Sequence, residues 1–302
     1  MDNLTGDLLT NYVKQRRGII RNAATYALGI VPVTGAGTIN IGDLFETANG
    51  IQFKTIQTKV ISGTGSVNVQ CMTLGDIGNV PANQITQIPV TLSGITAVTN
   101  PLATHDGYEA ESDDALRERY YTSVRTPATS GNVYHYFSWA KEISGVGDVK
   151  VFPMDTDIVG GISEVDVVII NQLKEPASER LINEVQEYID PVSEGLGYGQ
   201  APIGAKCYVS SADALTPDIS MSVVHSSEYT EDQIIENITE SITSYLRSVA
   251  FKTTYISEAR IGSAILDSNG VQDYSNLYIN GVSGNITVDD REVAVIGVVT
   301  IV

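Results

Sequence analysis

The sequence predicts an α+β protein of several domains: a β-rich N-terminal unit, a helical pair, and then small open-faced α/β sandwich domains. Apolar and polar residues alternate between positions 24 and 104, which indicates strands. The period becomes helical near position 112, and from 148 onward strand-like and helix-like segments alternate. The predicted divisions are a short N-terminal helix, a β-rich domain, a helical connector, an α/β sandwich and a self-associating C-terminal α/β domain, at 1–23, 24–106, 107–147, 148–212 and 213–302.

Composition and charge exclude several classes of function. The chain has 302 residues and a net charge of −18. Residues 1–105 hold six basic and five acidic side chains, which leaves 12 basic and 31 acidic for the rest. So acidic a surface repels phosphate backbones, and we expect no nucleic-acid partner. Without a signal peptide or a long apolar run, we expect no membrane partner and assembly in the cytoplasm.

The N-terminal third combines one helix with a β unit. Segment 6–20 has an apolar stripe and a basic last turn, so it predicts an amphipathic helix with Gly18 at its C-terminus. Asn49-Gly50 between two strand-like runs is a strong hairpin signal. Other glycine clusters, at 35–37, 63–65 and 75–79, are interpreted as turns.

Two helices are predicted next. Ser112 is a suitable N-cap, followed by two aspartates at the positive end of the helix dipole, and the helix should end before Pro127. A second helix is predicted from Ser130, with Val133, Phe137 and Ala140 on one face. These helices carry paired tyrosines, for which protein contact and partial core burial remain equal alternatives.

The second half is predicted to contain two β-β-α-β blocks. Strands are expected at 148–152, 164–170, 205–211, 218–225, 271–280, 285–289 and 293–301. Pro176 is placed at the first position of one helix. Thr230 and Gln233 fit a capping box, and Ser257 fits an N-cap.

Candidate catalytic and ligand-binding chemistry is weak, and we predict no catalytic, cofactor-binding or metal-binding residues. The three histidines, His105, His135 and His225, lie in separate segments, and no nucleophile motif accompanies them. Asp155-Thr-Asp157 lacks the rest of a calcium loop. The glycines at 195, 197 and 199 precede a strand instead of the helix that a phosphate site needs. Cys71 and Cys207 are predicted to be small buried residues.

Several segments, taken in order, resemble the baseplate J-like protein family over nearly the whole chain. They lie at 42–53, 78–82, 98–101, 107–119, 139–146, 197–204 and 270–277. The resemblance assigns a structural signature to Gly50, Phe53, Gly78, Asn79, Pro101, Glu111, Ser112, Arg117, Gly197, Pro202, Gly204, Asp273 and Tyr274. Family members usually carry additional helical sequence before the segment that corresponds to 6–20, and little precedes it here.

The resemblance implies a structural wedge subunit of a contractile-tail baseplate, in a phage or an R-type bacteriocin-like particle assembled in the host bacterial cytoplasm. It implies two copies per wedge and six wedges around the tail hub, with a second wedge protein and a lysozyme-like subunit at which the sheath begins. The ring would couple the trigger to sheath contraction. Compliant connections near 105–112 and 145–147 are expected between rigid domains.

Two alternatives remain open at the level of sequence. A tail-associated enzyme that acts on cell wall or carbohydrate would need converging carboxylates, and cell-wall zymography would reveal it. A receptor or fibre adaptor would bind cells, which a wedge subunit should not do.

Overall fold

The computed structural model describes residues 1–126, 129, 131–153 and 163–302. They form two compact units, the first comprising 1–138 and 142–145 and the second 139–141 and 146–302. The helices are α1 Gly6–Arg17, α2 Asp113–Arg125, α3 Val133–Lys141, α4 Glu179–Ile189, α5 Glu231–Val249 and α6 Glu258–Leu266. The strands are β1 Tyr26–Ile39, β2 Leu44–Thr47, β3 Gln52–Thr55, β4 Lys59–Leu74, β5 Ile85–Gln87, β6 Ile95–Val98, β7 Val146–Pro153, β8 Ser163–Asn171, β9 Ala205–Ser211, β10 Asp213–Leu215, β11 Ile219–His225, β12 Tyr255–Ile256, β13 Val271–Ile279, β14 Ile286–Thr287, β15 Glu292–Ala294 and β16 Val299–Ile301.

The first unit is built on a six-stranded antiparallel sheet that nearly closes into a barrel, in the order β5-β2-β3-β4-β1-β6. Every second residue of the long strands β1 and β4 points inward, and Phe45 lies opposite Phe53 at the centre. Burying each such side chain contributes about 1.5–3 kcal/mol. The predicted fold class is therefore confirmed.

Glycines in this barrel have two different roles. At Asn49-Gly50 the predicted hairpin is confirmed, because Gly50 has a φ of 84° and joins β2 to β3. The turns predicted at 35–37 and 63–65 are wrong, since both segments lie inside β1 and β4 and Gly35 pairs with Gly63. A Cβ atom at Gly35 would lie 2.2 Å from the Gly94 carbonyl oxygen. Gly35 and Gly37 let the segment at 93–95 cross close to β1, whereas a Cβ atom at Gly63 would meet nothing within 4 Å.

In the helices of the first unit, the predicted caps at Gly18 and Ser112 are confirmed, whereas the predicted buried face of α3 is only partly correct. The Gly18 N–H donates to the Lys14 carbonyl and ends α1, and the Ser112 hydroxyl accepts from the Ala115 N–H at the start of α2. In α3 the buried residues are Tyr136 and Ala140, whereas Val133 is exposed. The predicted face of α3 was therefore wrong in part. The cap predicted at Ser130 lies outside the described residues.

The second unit begins with the three-stranded sheet β7-β8-β9, in which α4 connects the parallel strands β8 and β9. The helix starts at Glu179 with Ser178 as its N-cap, so the prediction of Pro176 as its first residue is wrong. Pro176 instead pairs with Ile170, and the Asn171 N–H donates to the Glu175 carbonyl in a tight turn. The predicted loop at 155–157 lies outside the described residues.

Side chains cover the outer edge of β9. The Gln186 side chain accepts from the Val209 N–H at 2.8 Å and donates to the Cys207 carbonyl at 3.0 Å. The Asp190 carboxylate accepts from the Cys207 N–H at 3.0 Å. Backbone groups that a further strand would need are thus already paired with side chains.

The rest of the second unit packs two helices on the sheet β13-β11-β16. Between β11 and β13 the chain forms α5, the short strand β12 and α6, so the predicted strand, two helices and following strand are present in the predicted order. Its core joins Ile234, Ile238 and Ile242 of α5 to Ile261 and Ile265 of α6. β16 runs parallel to β11, and β13 runs antiparallel to it.

Removing the capping box of α5 should cost a modest amount of stability. The Thr230 hydroxyl accepts from the Gln233 N–H, and the Gln233 side chain accepts from the Thr230 N–H. Thr230→Ala is expected to lower the free energy of unfolding by about 1 kcal/mol in urea denaturation. Ser244→Ala, at an exposed position within α5, is the matched control and should be nearly neutral. Equal losses in the two variants would contradict a specific capping role.

Candidate interaction surfaces

The three histidines make separate local contacts in the described part of the chain. Among these residues no group of three or more histidine, cysteine, aspartate or glutamate side chains could hold a metal ion. His105 contacts Asp106, His135 accepts from the Gly131 N–H, and His225 contacts the Ser226 carbonyl. None of the described helices has the length and apolar character needed to cross a membrane.

One surface is the N-terminal clasp, defined as α1, the segment 18–22 and the start of α2 at 111–119. Its apolar part is small, with Leu9, Val13 and Leu116 fully buried between the two helices. Tyr12 packs on Tyr120 at a centroid distance of 6.1 Å. Because this apolar contact is small, much of the attachment of α1 depends on polar groups.

Arg21 ties both helices of the clasp together. Its guanidinium donates to the Thr10 hydroxyl at 2.8 Å, to the Glu111 carbonyl at 2.6 Å and to the Asp113 carboxylate at 2.6 Å. The other oxygen of Asp113 accepts from the Gly6 N–H at 2.9 Å. Asp113 therefore favours the start of α2 through the helix dipole and also holds the start of α1.

The N-terminal clasp also contains a buried ion pair, between Arg119 and Glu111. The Arg119 guanidinium donates to both carboxylate oxygens of Glu111, at 2.9 and 2.6 Å, and each side chain is 9% exposed. Arg119 also donates to the Ile20 carbonyl at 2.6 Å, and the Asn22 N–H donates to Glu111 at 3.1 Å. This bidentate pair fixes the chain between α1 and the barrel against α2.

Acid is expected to weaken the clasp through Asp113. Hydrogen bonds from the Gly6 N–H and from Arg21 lower the pKa of the Asp113 carboxyl. A lowered pKa means that the stabilisation is present above the unfolded value of about 3.9 and is lost as the pH falls through and below it. Asp113→Asn, which cannot titrate, should lose stability at pH 7 but approach the wild type near pH 3. Urea midpoints measured across this range test the expectation, and a constant difference would contradict it.

The polar side chains of Asn79 and Asn100 hold the rim of the barrel near the point where the chain leaves it. The fully buried Asn100 amide accepts from the Ile85 N–H and donates to the Pro81 and Leu102 carbonyls. Asn79 makes two hydrogen bonds with the backbone of Gly107. These hydrogen bonds tie together the backbone segments at the rim of the barrel.

Hydrogen bonds lie at each of the two connections for which compliance is predicted. Asp106 and Tyr108 are buried, and the Tyr108 hydroxyl donates to the Asp106 carboxylate at 3.1 Å. At the second connection, the ammonium groups of Lys141 and Lys174 both donate to the Gly147 carbonyl, at 2.9 and 2.7 Å. Compliance near 105–112 and 145–147 stays a prediction.

A second surface is the Tyr198 loop, defined as residues 190–204. Buried Asp190 anchors it, since its carboxylate accepts from the Gly195 N–H at 3.2 Å as well as from Cys207. The Gly204 N–H donates to the Gly195 carbonyl at 2.8 Å and closes the loop on itself. Burial, with nearby carboxylates, raises the pKa of the Cys207 thiol to about 12.

The Tyr198 loop exposes large apolar side chains. Tyr198 is 82% exposed and Ile203 is 86% exposed. A Cβ atom at Gly197 would lie 2.5 Å from the Ile203 side chain, so Ile203 packs against the residue that precedes Tyr198. Val192 and Leu196 of the same loop are also exposed. Clustered exposed apolar groups on a soluble domain mark protein contact surfaces.

The structure places the predicted signature residues in separate groups. Glu111, Ser112 and Arg117 lie in the N-terminal clasp, where the Arg117 guanidinium donates to the Leu4 carbonyl at 3.0 Å. Other groups are the hairpin with Gly50 and Phe53, the barrel rim with Gly78, Asn79 and Pro101, the Tyr198 loop with Gly197, Pro202 and Gly204, and strand β13 with Asp273 and Tyr274. Their shared structural role stays a prediction.

Sequence reasoning missed Arg21, Arg119 and Asp190, which anchor the clasp and the Tyr198 loop. Arg21 binds Asp113, which is 92 positions away in sequence. Asp190 directly follows an apolar helix stripe and precedes a proline, which is a weak signal for a carboxylate that turns inward.

Three domains of one family match the chain in order. Residues 30–107 match the barrel domain of the baseplate J-like proteins, 128–211 their central domain and 217–302 their C-terminal domain.

Individual relatives agree with these matches. The PBSX phage-like element protein XkdT of Bacillus subtilis is 35% identical over 303 aligned residues, which cover 100% of this chain and 82% of that protein. YqbT of the same organism is similar to the same extent. Baseplate protein gp47 of Escherichia phage Mu is 27% identical over 85% of this chain and 72% of its own. A chain of the anti-feeding prophage baseplate aligns over 95% of this chain and 80% of its own at 12% identity, with a TM-score of 0.40.

Proposed function

This chain belongs to the baseplate J-like protein family, and from that membership we propose that it is a wedge subunit of a contractile-tail baseplate. That it is a structural component of a phage-type baseplate follows from the family and its relatives. The observation that carries the finer proposal is the ordered match of barrel, central and C-terminal domains along one chain.

In the proposed assembly, two copies form part of each wedge and six wedges surround the tail hub. The partners are the chain itself, a second wedge protein and a lysozyme-like subunit at which the sheath begins. The domain divisions at 23, 106, 147 and 212 remain part of the proposal, as does self-association through 213–302. The ring would transmit the triggering signal to the sheath through movement of compact units, each of which keeps its own core.

We place the contact with the second wedge protein on the outer face of the N-terminal clasp. Leu8 and Ile20 are 70% and 65% exposed there. Lys14, Arg16 and Arg17 are exposed on the same helix and form the basic cluster of an otherwise acidic chain. Exposed apolar and basic side chains on this one short segment suit an acidic, amphipathic partner helix.

Reconstitution with the neighbouring tail proteins tests the proposal. Native mass spectrometry and electron microscopy of the mixture should reveal wedges and rings that contain this chain. The variant Leu8→Asp/Ile20→Asp should stay folded yet lose the second wedge protein. Leu102→Asp, at another exposed apolar position, is the control and should assemble normally. A chain that stays monomeric with every tail protein would refute the wedge role.

A further inference from the structure

We propose that the two parts of the second unit, residues 146–212 and 213–302, move as one rigid body because two reciprocal clamps hold their boundary. Each clamp consists of a cation from one part and of an aromatic ring and a carboxylate from the other part. The Lys150 clamp contains Lys150, Phe251 and Asp290, and the Arg291 clamp contains Arg291, Phe152 and Asp166. The clamps concern the chain by itself, and only their use in a ring rests on the proposed function.

The chain passes from one part to the other without a free linker. The Ala212 N–H donates to the Ile169 carbonyl of β8 at 3.0 Å, and the next N–H, that of Asp213, donates to the Arg291 carbonyl at 2.9 Å. Strand β10 then pairs in parallel with β15 from Asp213 to Leu215. Boundaries between domains that move usually lie in linkers with few crossing contacts. The boundary at 212 is instead hydrogen-bonded on both sides.

One face of the sheet β7-β8-β9 carries the contacts with the C-terminal part. Lys150 and Phe152 alternate along β7, and their cross-strand partners on β8 are Val168 and Asp166. Cross-strand partners point to the same face of a sheet, so both clamps lie on this face. Every residue of β8 from 166 to 171 is buried, which means that both faces of the strand are covered.

An apolar cluster on the same face crosses the boundary. This boundary cluster is defined as Val168, Ile170, Ala212, Ala250 and Val293, none of which is more than 6% exposed. Two of its members lie on β8, one at the end of α5 and one on β15. Separation of the two parts would expose these side chains to water, which the hydrophobic effect opposes.

The Arg291 clamp joins a cation of the C-terminal part to the central sheet. The guanidinium lies 4.7 Å from the Phe152 ring centroid and forms an ion pair with Asp166. The Asp166 side chain is 7% exposed and also accepts from the Ser210 hydroxyl at 3.3 Å. A buried carboxylate is costly unless a cation and hydrogen bonds compensate its charge. Sliding of either part would leave this charge unpaired, so Asp166 holds Arg291 in place.

The Lys150 clamp has the opposite direction. The ammonium group lies 5.0 Å from the Phe251 ring centroid and 3.1 Å from a carboxylate oxygen of Asp290. Phe251 has a φ of 59°, a left-handed conformation that a bulky L-residue rarely adopts without compensating contacts. Its ring finds those contacts at the boundary, against the boundary cluster and below Lys150. The strained backbone at 251 thus places an aromatic ring where the two parts meet.

Rigidity at 212 has a consequence for the proposed ring. A displacement of either part of the second unit is transmitted to the other part without bending between them. Any movement of the second unit is then a rotation or translation of the whole unit. The connections near 105–112 and 145–147, for which compliance is predicted, are left as the positions at which the chain would bend.

Double electron–electron resonance on the whole chain tests the proposal. Spin labels at Glu187→Cys on α4 and Glu236→Cys on α5 span the boundary, and both positions are exposed. A second pair, Glu236→Cys/Val282→Cys, lies within the C-terminal part and gives the width of the distance distribution for one rigid body. The native cysteines are buried and should stay unlabelled. The distribution across the boundary should have one maximum and be as narrow as the distribution within the C-terminal part.

The variant Phe152→Ser/Phe251→Gly removes the aromatic ring of each clamp. Glycine adopts the φ of residue 251 without strain, so this variant loses contacts across the boundary and keeps the local backbone conformation. The distribution across the boundary should widen about twofold, because relative motion is the default for domains without a firm interface. Tyr134→Ser, which removes an exposed ring of the first unit, is the control and should leave the distribution unchanged.

Circular dichroism verifies that the ring-deleted variant folds. Lys150→Gln/Arg291→Gln, which keeps both rings and removes both cations, provides a second variant that should also widen the distribution across the boundary. A distribution across the boundary that is already broad in the wild-type background would overturn the proposal, and so would unchanged widths in the folded variants. Wedge formation with the other tail proteins is a separate measurement, so failure of the clamps and failure of the wedge role are distinguishable.

Discussion

Glu111→Ala is expected to lower the free energy of unfolding of the first unit by about 3–5 kcal/mol. The substitution leaves the Arg119 guanidinium, which is 9% exposed, without the carboxylate that accepts two of its hydrogen bonds. It also removes the acceptor of the Asn22 N–H. The chain between α1 and the barrel then loses its attachment to α2. Urea denaturation followed by circular dichroism gives the loss, and limited proteolysis within residues 1–22 reports release of α1.

Glu118→Ala provides the matched control, since Glu118 lies on the exposed side of α2. It should change stability by less than about 0.5 kcal/mol. The double variant Glu111→Ala/Arg119→Ala separates the cost of an unpaired buried cation from the loss of the pair itself. If the unpaired cation dominates, the double variant will be more stable than Glu111→Ala alone. Equal effects of Glu111→Ala and Glu118→Ala would show that the ion pair contributes nothing.

Asp190→Ala is expected to destabilise the second unit by about 2–4 kcal/mol. Two backbone N–H groups, of Gly195 and Cys207, lose their common acceptor. The residues with positive φ in the Tyr198 loop can then relax to ordinary conformations. A nearby carboxylate that helps raise the pKa of the Cys207 thiol also disappears. The thiol should therefore react faster, since the thiolate is the nucleophile.

Thiol labelling followed by peptide mass mapping measures this effect at Cys207, and Cys71 in the barrel core serves as an internal reference. Labelling should accelerate at Cys207 and stay unchanged at Cys71. Glu194→Ala changes an exposed acidic residue of the same loop and should affect neither stability nor labelling. Acceleration at both cysteines would point to global unfolding and not to release of the Tyr198 loop.

Local signals explain which parts of the fold could be predicted from sequence. Ser112, Thr230 and Ser257 cap helices as predicted, because a cap depends on residues three positions away. The glycines at 35 and 63 were misassigned because both lie inside the long paired strands β1 and β4, and for Gly35 the reason for its small size lies elsewhere in the chain. Gly35 lies beside Gly94 and makes room for that segment. A short segment of sequence contains no signal for such a crossing, because the two segments are distant in the chain.

The candidate surfaces were only partly predictable for the same reason. Asp113 and Asp114 were interpreted as acidic groups at the start of a helix, which they are, but the ion pairs of Asp113 with Arg21 and of Glu111 with Arg119 were not predicted. The helical connection predicted at Pro176 starts later, because Pro176 pairs with β8. Exposure of Tyr198 and Ile203 depends on the inward turn of Asp190, which only the tertiary structure reveals.

The Gln186 side chain affects how copies of this chain behave when they lie close together. In the proposed ring, identical strands would be held at a high local concentration, and uncovered edges under those conditions can join into a continuous cross-β array. By occupying the Cys207 carbonyl and the Val209 N–H, Gln186 denies a neighbouring copy a template at β9. A single amide thus allows copies of this sheet to lie close together without fusing into a fibre.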